Sequence, residues 1–212
     1  VKKMNDLFKR NLKALGSVND GLAGVIESSL CDGITPVATK DGDFVPQVDD
    51  NGRKIFLHSK FDPKTEARRF LGEIATGEYS LYVVAGFGYG YHAQALLESM
   101  GSDATLLILE KSAGIVRSAM EHRDLSALLG DRRVVLLINP DEDEIAQRMK
   151  GRSSKTAAFV THRGSSQVNA DYYAGVIRTA KSYISMKDAN IATLAKFEKL
   201  WSSNIARNIS IF

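Results

Sequence analysis

The spacing of apolar residues changes period along the chain. Over the first thirty residues, Met4, Leu7, Phe8, Leu12 and Leu15 recur at helical spacing and alternate with charges, which predicts an amphipathic helix. Gly16 punctuates it, and Ser17 or Asn19 can cap a second short helix. Residues 34–58 change to short apolar runs separated by Lys40-Asp41-Gly42-Asp43 and Asp49-Asp50-Asn51-Gly52. Those are turn signals, and Asn-Gly favours a hairpin, so two or three antiparallel strands form a small meander. Helical spacing returns in Ala67, Phe70, Leu71 and Ile74, with Asp62 as N-cap, Pro63 at the first helical position, Glu66 in the first turn and Gly77 as the stop.

From residue 79 the pattern is regular. YSLYVVAG, ATLLILE, RRVVLLIN and TAAFVTH are continuous apolar runs of strand length, and helical patterns separate them. Strands without polar alternation, joined through helices, predict a parallel sheet covered on both faces, most simply ordered 3-2-1-4. After His162 the strands stop. Residues 167–208 predict two helices broken near Ser185–Asp188, the second with a stripe of Ile191, Leu194, Ala195, Phe197, Leu200, Trp201 and Ile205 that reads as core or interface. The expected class is α/β: a Rossmann-like, mostly parallel sheet covered by helices, with a small N-terminal β-meander and helical ends. The expected units are 1–78, a Rossmann-like core at 79–166, and C-terminal helices at 167–212 that lead to a following domain.

Composition narrows the picture. The 212 residues are 44% hydrophobic and 25% charged, near the globular average, which excludes disorder and collagen as overall descriptions. The net charge of +3 is small and dispersed, which argues against a nucleic-acid partner. No apolar run reaches the roughly 18 residues that span a bilayer, so no membrane association is expected. The single cysteine, Cys31, precludes an internal disulfide and favours a reducing, cytoplasmic setting. The chain begins at Val1 and ends in apolar residues; both ends read as cuts through a longer polypeptide.

Gly86-Phe87-Gly88-Tyr89-Gly90-Tyr91-His92 lies between the first parallel strand and its helix. Glycines there let backbone approach a ligand, and the N–H groups at the helix start attract an anion or a ribose edge. The loop fits G-x-G-x-G, the form used by S-adenosylmethionine (SAM)-dependent methyltransferases, and not G-x-G-x-x-G, because position 91 is Tyr. Glu110 ends the second strand 24 residues after Gly86, where an acidic residue hydrogen-bonds ribose. Gly86, Gly88, Gly90, His92 and Glu110 are therefore the candidate binding residues, for a nucleotide or a SAM-like ligand. The same glycines serve equally for tight strand-to-helix packing, and His92 for a plain helix start. Against a methyltransferase, Val84 stands where an acidic residue is usual, and the Asn-Pro-Pro-Tyr signature is absent.

His58, His92, His122 and His162 show no metal-ligand spacing to one another or to Cys31, so no zinc site is expected. His162 falls at the carboxyl end of the fourth strand, the same edge as the glycine loop. Asp141-Glu142-Asp143-Glu144 reads as a solvated helix cap favoured by the macrodipole. No nucleophile motif is present, and no catalytic residue is assigned.

Two segments carry a family resemblance. Leu57-His58-Ser59-Lys60-Phe61-Asp62-Pro63, followed by Glu66-Ala67-Arg68-Arg69-Phe70, resembles the "hSkyDPxxEAxRf" segment of motility accessory factor (Maf) flagellin glycosyltransferases. Val84 to His92 resembles the "GxGxGYH" loop that follows it in those proteins, and Tyr172-Tyr173, Trp201 and Asn204 are similar more loosely. The resemblance covers only the family's N-terminal portion, and the Gly-Pro-Ser-Leu-type motif of its catalytic domain does not occur here. It implies a non-catalytic Rossmann-like domain for scaffolding, acceptor docking or nucleotide-like ligand binding. Its implied partners are the following catalytic domain of the same polypeptide and flagellin. The full-length protein would move a CMP-activated nonulosonic acid onto flagellin in the cytoplasm, in the service of motility. The alternative reading is a SAM-dependent methyltransferase using Gly86, Gly88, Gly90 and Glu110.

Overall fold

The computed structural model describes residues 5–72, 74, 79–149 and 157–184. Two helices open the chain, α1 (Asp6–Gly16) and α2 (Asp20–Ser28). Their N-caps are Asn5 and Asn19, whose side chains accept from the amides of Phe8 and Leu22. The strands β1 (Ile34–Ala38), β2 (Phe44–Asp50) and β3 (Arg53–Phe56) form the meander, antiparallel throughout and ordered β1-β2-β3. Asn51 and Gly52 both take positive φ at its second turn, as a two-residue hairpin of this twist demands. Helix α3 (Pro63–Leu71) follows, with the Asp62 side chain accepting from Thr65 N–H at 2.8 Å. Its described C-cap is Gly72; Gly77 lies outside the described residues.

The parallel sheet contains β4 (Leu81–Ala85), β5 (Thr105–Glu110), β6 (Val134–Ile138) and β7 (Ala157–Thr161), in the order β6-β5-β4-β7. In the chain's own sequence of parallel strands that is 3-2-1-4, the predicted order. Helices α4 (Tyr91–Ser99), α5 (Ala113–His122), the one-turn α6 (Ser126–Leu129) and α7 (Glu142–Met149) fill the crossovers. After β7 come α8 (Arg163–Val168) and α9 (170–184). The apolar spacing predicts helices only from 167 and does not predict α8, because Gly164-Ser165-Ser166 reads as a loop. What starts α8 is a cap that the spacing does not show: the His162 side chain accepts from Ser165 N–H. The expected break near Ser185–Asp188 and the Trp201 stripe lie outside the described residues.

Alternation within each strand explains the double cover. Tyr82, Val84, Leu106, Ile108, Leu136 and Val160 point into one core, shared with Phe8 and Leu15 of α1 and with Leu96, Val116 and Met120. Leu81, Val83, Ala85, Leu107 and Leu109 point into the other, against Ile145 and Met149 of α7 and Tyr173, Val176 and Ala180 of α9. The meander joins through a third cluster, in which Ile55 and Leu57 meet Ile115 of α5. These contacts bring the segment after β3 to the carboxyl edge of the parallel sheet. Among the described residues no helix is long and apolar enough to cross a membrane.

Candidate functional site

The carboxyl edge gathers three segments: the loop between β3 and α3, the glycine loop between β4 and α4, and the turn from β7 into α8. Gly86, Gly88 and Gly90 all have positive φ, at 97°, 53° and 77°, so each needs glycine for its backbone alone. Each is also crowded. A Cβ on Gly86 would lie 2.6 Å from Ser165 Cβ, and one on Gly90 2.8 Å from the Phe87 ring. A Cβ on Gly88 would overlap His58 Nε2 and lie 3.0 Å from His162 Cε1. The close approach that these glycines permit is thus to the protein's own side chains.

The loop is held on both sides. Tyr89 N–H donates to His58 Nε2 at 2.9 Å, and the Arg123 guanidinium donates to the Tyr89 carbonyl. That guanidinium also stacks 3.5 Å from the centroid of Tyr91. The Tyr89 hydroxyl shares a 2.5 Å hydrogen bond with Ser118 Oγ. Tyr91 donates its hydroxyl to the Phe44 carbonyl at 2.8 Å, tying the loop to the meander. Burial lifts the Tyr91 phenol to about 12.

Glu110 is where the sequence places it, at the end of β5, but it does not stand in an open crevice. It is 1% exposed. Oε2 accepts from Phe87 N–H at 2.7 Å, and Oε1 from Ser112 N–H at 2.9 Å and the Tyr173 hydroxyl at 2.7 Å. Burial pushes its carboxyl above the ordinary range, and these donors pull it back. Glu110 lines a cavity of about 150 Å³ together with Asp32, Ser112, Ser165, Asn169, Tyr173 and apolar residues that include Ile34 and Leu57. Pockets for drug-sized ligands run to roughly 300–1,000 Å³.

His92 lies in the first turn of α4, apart from any helix-capping role. Its ring meets two others, with centroids 5.5 Å from His58 and 4.8 Å from His162, while His58 and His162 are 4.5 Å apart. All three are buried, at 3%, 7% and 2% exposure for His58, His92 and His162. Burial lowers all three pKa values, helped at His58 by His92 and Arg123, and at His162 by its two imidazole neighbours. They are therefore neutral at pH 7. His58 Nδ1 and His92 Nδ1 have no hydrogen-bond partner. Sequence spacing could not reveal this cluster, since its members lie on three segments that only the sheet topology brings together. The one signal was positional: His92 and His162 both follow strands at the carboxyl edge.

The acidic run Asp141–Glu144 is exposed. Asp141 Oδ1 accepts from Glu144 N–H at 2.8 Å, and Glu144 Oε2 from Asp141 N–H at 3.2 Å, a reciprocal capping box. His122 takes no part in the imidazole cluster; its Nδ1 meets the Ser118 carbonyl one turn back.

The chain matches no family model and no curated protein. Among solved structures it is similar to MnmC2 from Aquifex aeolicus, with a TM-score of 0.41 and 15% sequence identity, over 75% of this chain. The match spans 61% of that protein's length.

Proposed function

We propose that this chain is a non-catalytic Rossmann-like domain of a Maf-type protein glycosyltransferase, acting as a scaffold that carries a transferase domain. The observation that carries the scaffold reading is the closed carboxyl edge. At the place where open α/β sheets bind their ligands, Glu110 accepts from three internal donors, and Ser165, His162 and His58 fill the space above the glycines. The family part of the reading rests on the two motif segments. The geometry supports it by joining those segments physically. His58 of the first accepts from Tyr89 of the second, and Glu66 Oε2 braces the Ser59 amide beside it.

The test has two arms. Incubated with unglycosylated flagellin and a CMP-activated nonulosonic acid, the isolated chain leaves the mass of flagellin unchanged; a gain of one sugar would overturn the scaffold role. In calorimetry, neither SAM nor a cytidine nucleotide gives measurable heat. Micromolar SAM binding that Glu110→Ala weakens about ten- to a hundred-fold, the worth of a charge-assisted hydrogen bond, would make the domain a methyltransferase instead.

A further inference from the structure

The three imidazoles beside the glycine loop come from distant segments, and polar groups flank two of them. His162 Nδ1 lies 2.8 Å from Ser165 Oγ. His58 Nδ1 lies 3.7 Å from Glu66 Oε2. Metal-bound histidines donate their second ring N–H to a hydroxyl or carboxylate placed as these are. In the metal-free protein Ser165 N–H donates to His162 Nδ1 and Tyr89 N–H to His58 Nε2. An ion bound through Nε2 of both rings therefore requires the His162 proton to move to Nδ1, where Ser165 Oγ accepts it, and takes the His58 lone pair from Tyr89.

Gly88 packs directly against this cluster. A Cβ on it would overlap His58 Nε2 and lie 3.0 Å from His162 Cε1. His92 closes the third side, with its buried Nδ1 unpartnered. One ligand nitrogen from each ring lies within 4.8 Å of the other two. A tetrahedral ion with bonds of roughly 2.0–2.1 Å holds its nitrogens about 3.4 Å apart. Closing on an ion thus draws the rings in by no more than about 1.4 Å.

We propose that His58, His92 and His162 form a site for a divalent transition-metal ion of the zinc class. Three imidazoles suit such an ion and not calcium or magnesium, which take oxygen ligands. Burial lowers the pKa of each ring, so an ion does not have to displace an imidazolium proton at pH 7. Glu66 supplies the nearby negative charge. The cost of binding is two hydrogen bonds, Tyr89 N–H to His58 Nε2, whose lone pair the ion takes, and Ser165 N–H to His162 Nδ1. Three protein ligands leave a fourth coordination position. The site stands independently of the glycosyltransferase reading.

The experiment titrates chelator-stripped protein with Co²⁺, followed by Zn²⁺, and records visible absorption and the thermal midpoint. One equivalent of Co²⁺ should give the intense bands of a tetrahedral centre; Zn²⁺ should displace them and raise the midpoint. His92→Asn should abolish the bands. Glu66→Gln, at a partly exposed position, should keep the fold and weaken Zn²⁺ binding about 10–100-fold. Folded wild-type protein that takes up no Co²⁺, or folded His92→Asn that binds Zn²⁺ as tightly as wild type, would overturn the proposal.

Discussion

Glu110 shows how one side chain can look like a ligand group and act as a fastener. Its two oxygens bind the glycine loop through Phe87, the start of α5 through Ser112, and α9 through Tyr173. Glu110→Gln keeps the shape but points an NH₂ group at one set of these donors. An expected loss of about 1–3 kcal/mol follows from leaving buried donors unpaired, read from urea denaturation. The pH dependence has a definite sign. Burial raises the native pKa above the ordinary 4.5, so the native state takes up this proton at higher pH than the unfolded chain does. Glu110 therefore contributes least above its native pKa and more as the pH falls through it toward 4.5. The stability gap between wild type and Glu110→Gln should shift in favour of wild type over that window; a shift the other way would contradict the assigned direction.

At the level of elements, α1 is held to the Rossmann core by a polar contact as much as by its apolar stripe. Asn11 is fully buried. Its Nδ2 donates to the carbonyls of Met120 and Arg123 at 2.8 and 2.7 Å, and its Oδ1 accepts from Leu125 N–H at 2.8 Å. It thereby satisfies the end of α5 and the approach to α6 together. Asn11→Ala strands three backbone groups, and the expected destabilisation is about 2–4 kcal/mol; a change below the error of a denaturation curve would refute the staple. The stripe of Leu7, Phe8, Leu12 and Leu15 was legible in the sequence because helical period is a local property. Asn11 was not, because nothing local distinguishes a buried amide from a surface one. The same division runs through the site. The four parallel strands declared themselves by being apolar on both faces, which marked their class, and the simplest order for that class is the one they adopt. Glu110 was readable as a strand end, yet its burial depends on Tyr173, 63 residues further on. The imidazole cluster depends on β7 pairing beside β4, a neighbourhood that no spacing rule encodes.

For the molecule as a whole, the closed carboxyl edge has a kinetic meaning. Glycine-rich loops ordinarily open on their own, well before the sheet beneath them, and their amides exchange with solvent quickly. Here the amides of Phe87 and Tyr89 end on acceptors carried by β5 and by the segment after β3, so neither is freed by a local hinge. In metal-free protein both should exchange with deuterium as slowly as the central strand residues Val83 and Ile108, through global unfolding alone. Exchange of either amide much faster than those strands would show that the loop breathes independently. In the expected case, this loop becomes a clock for the entire fold: two backbone protons, in a segment that composition would class as flexible, keep the time of complete unfolding.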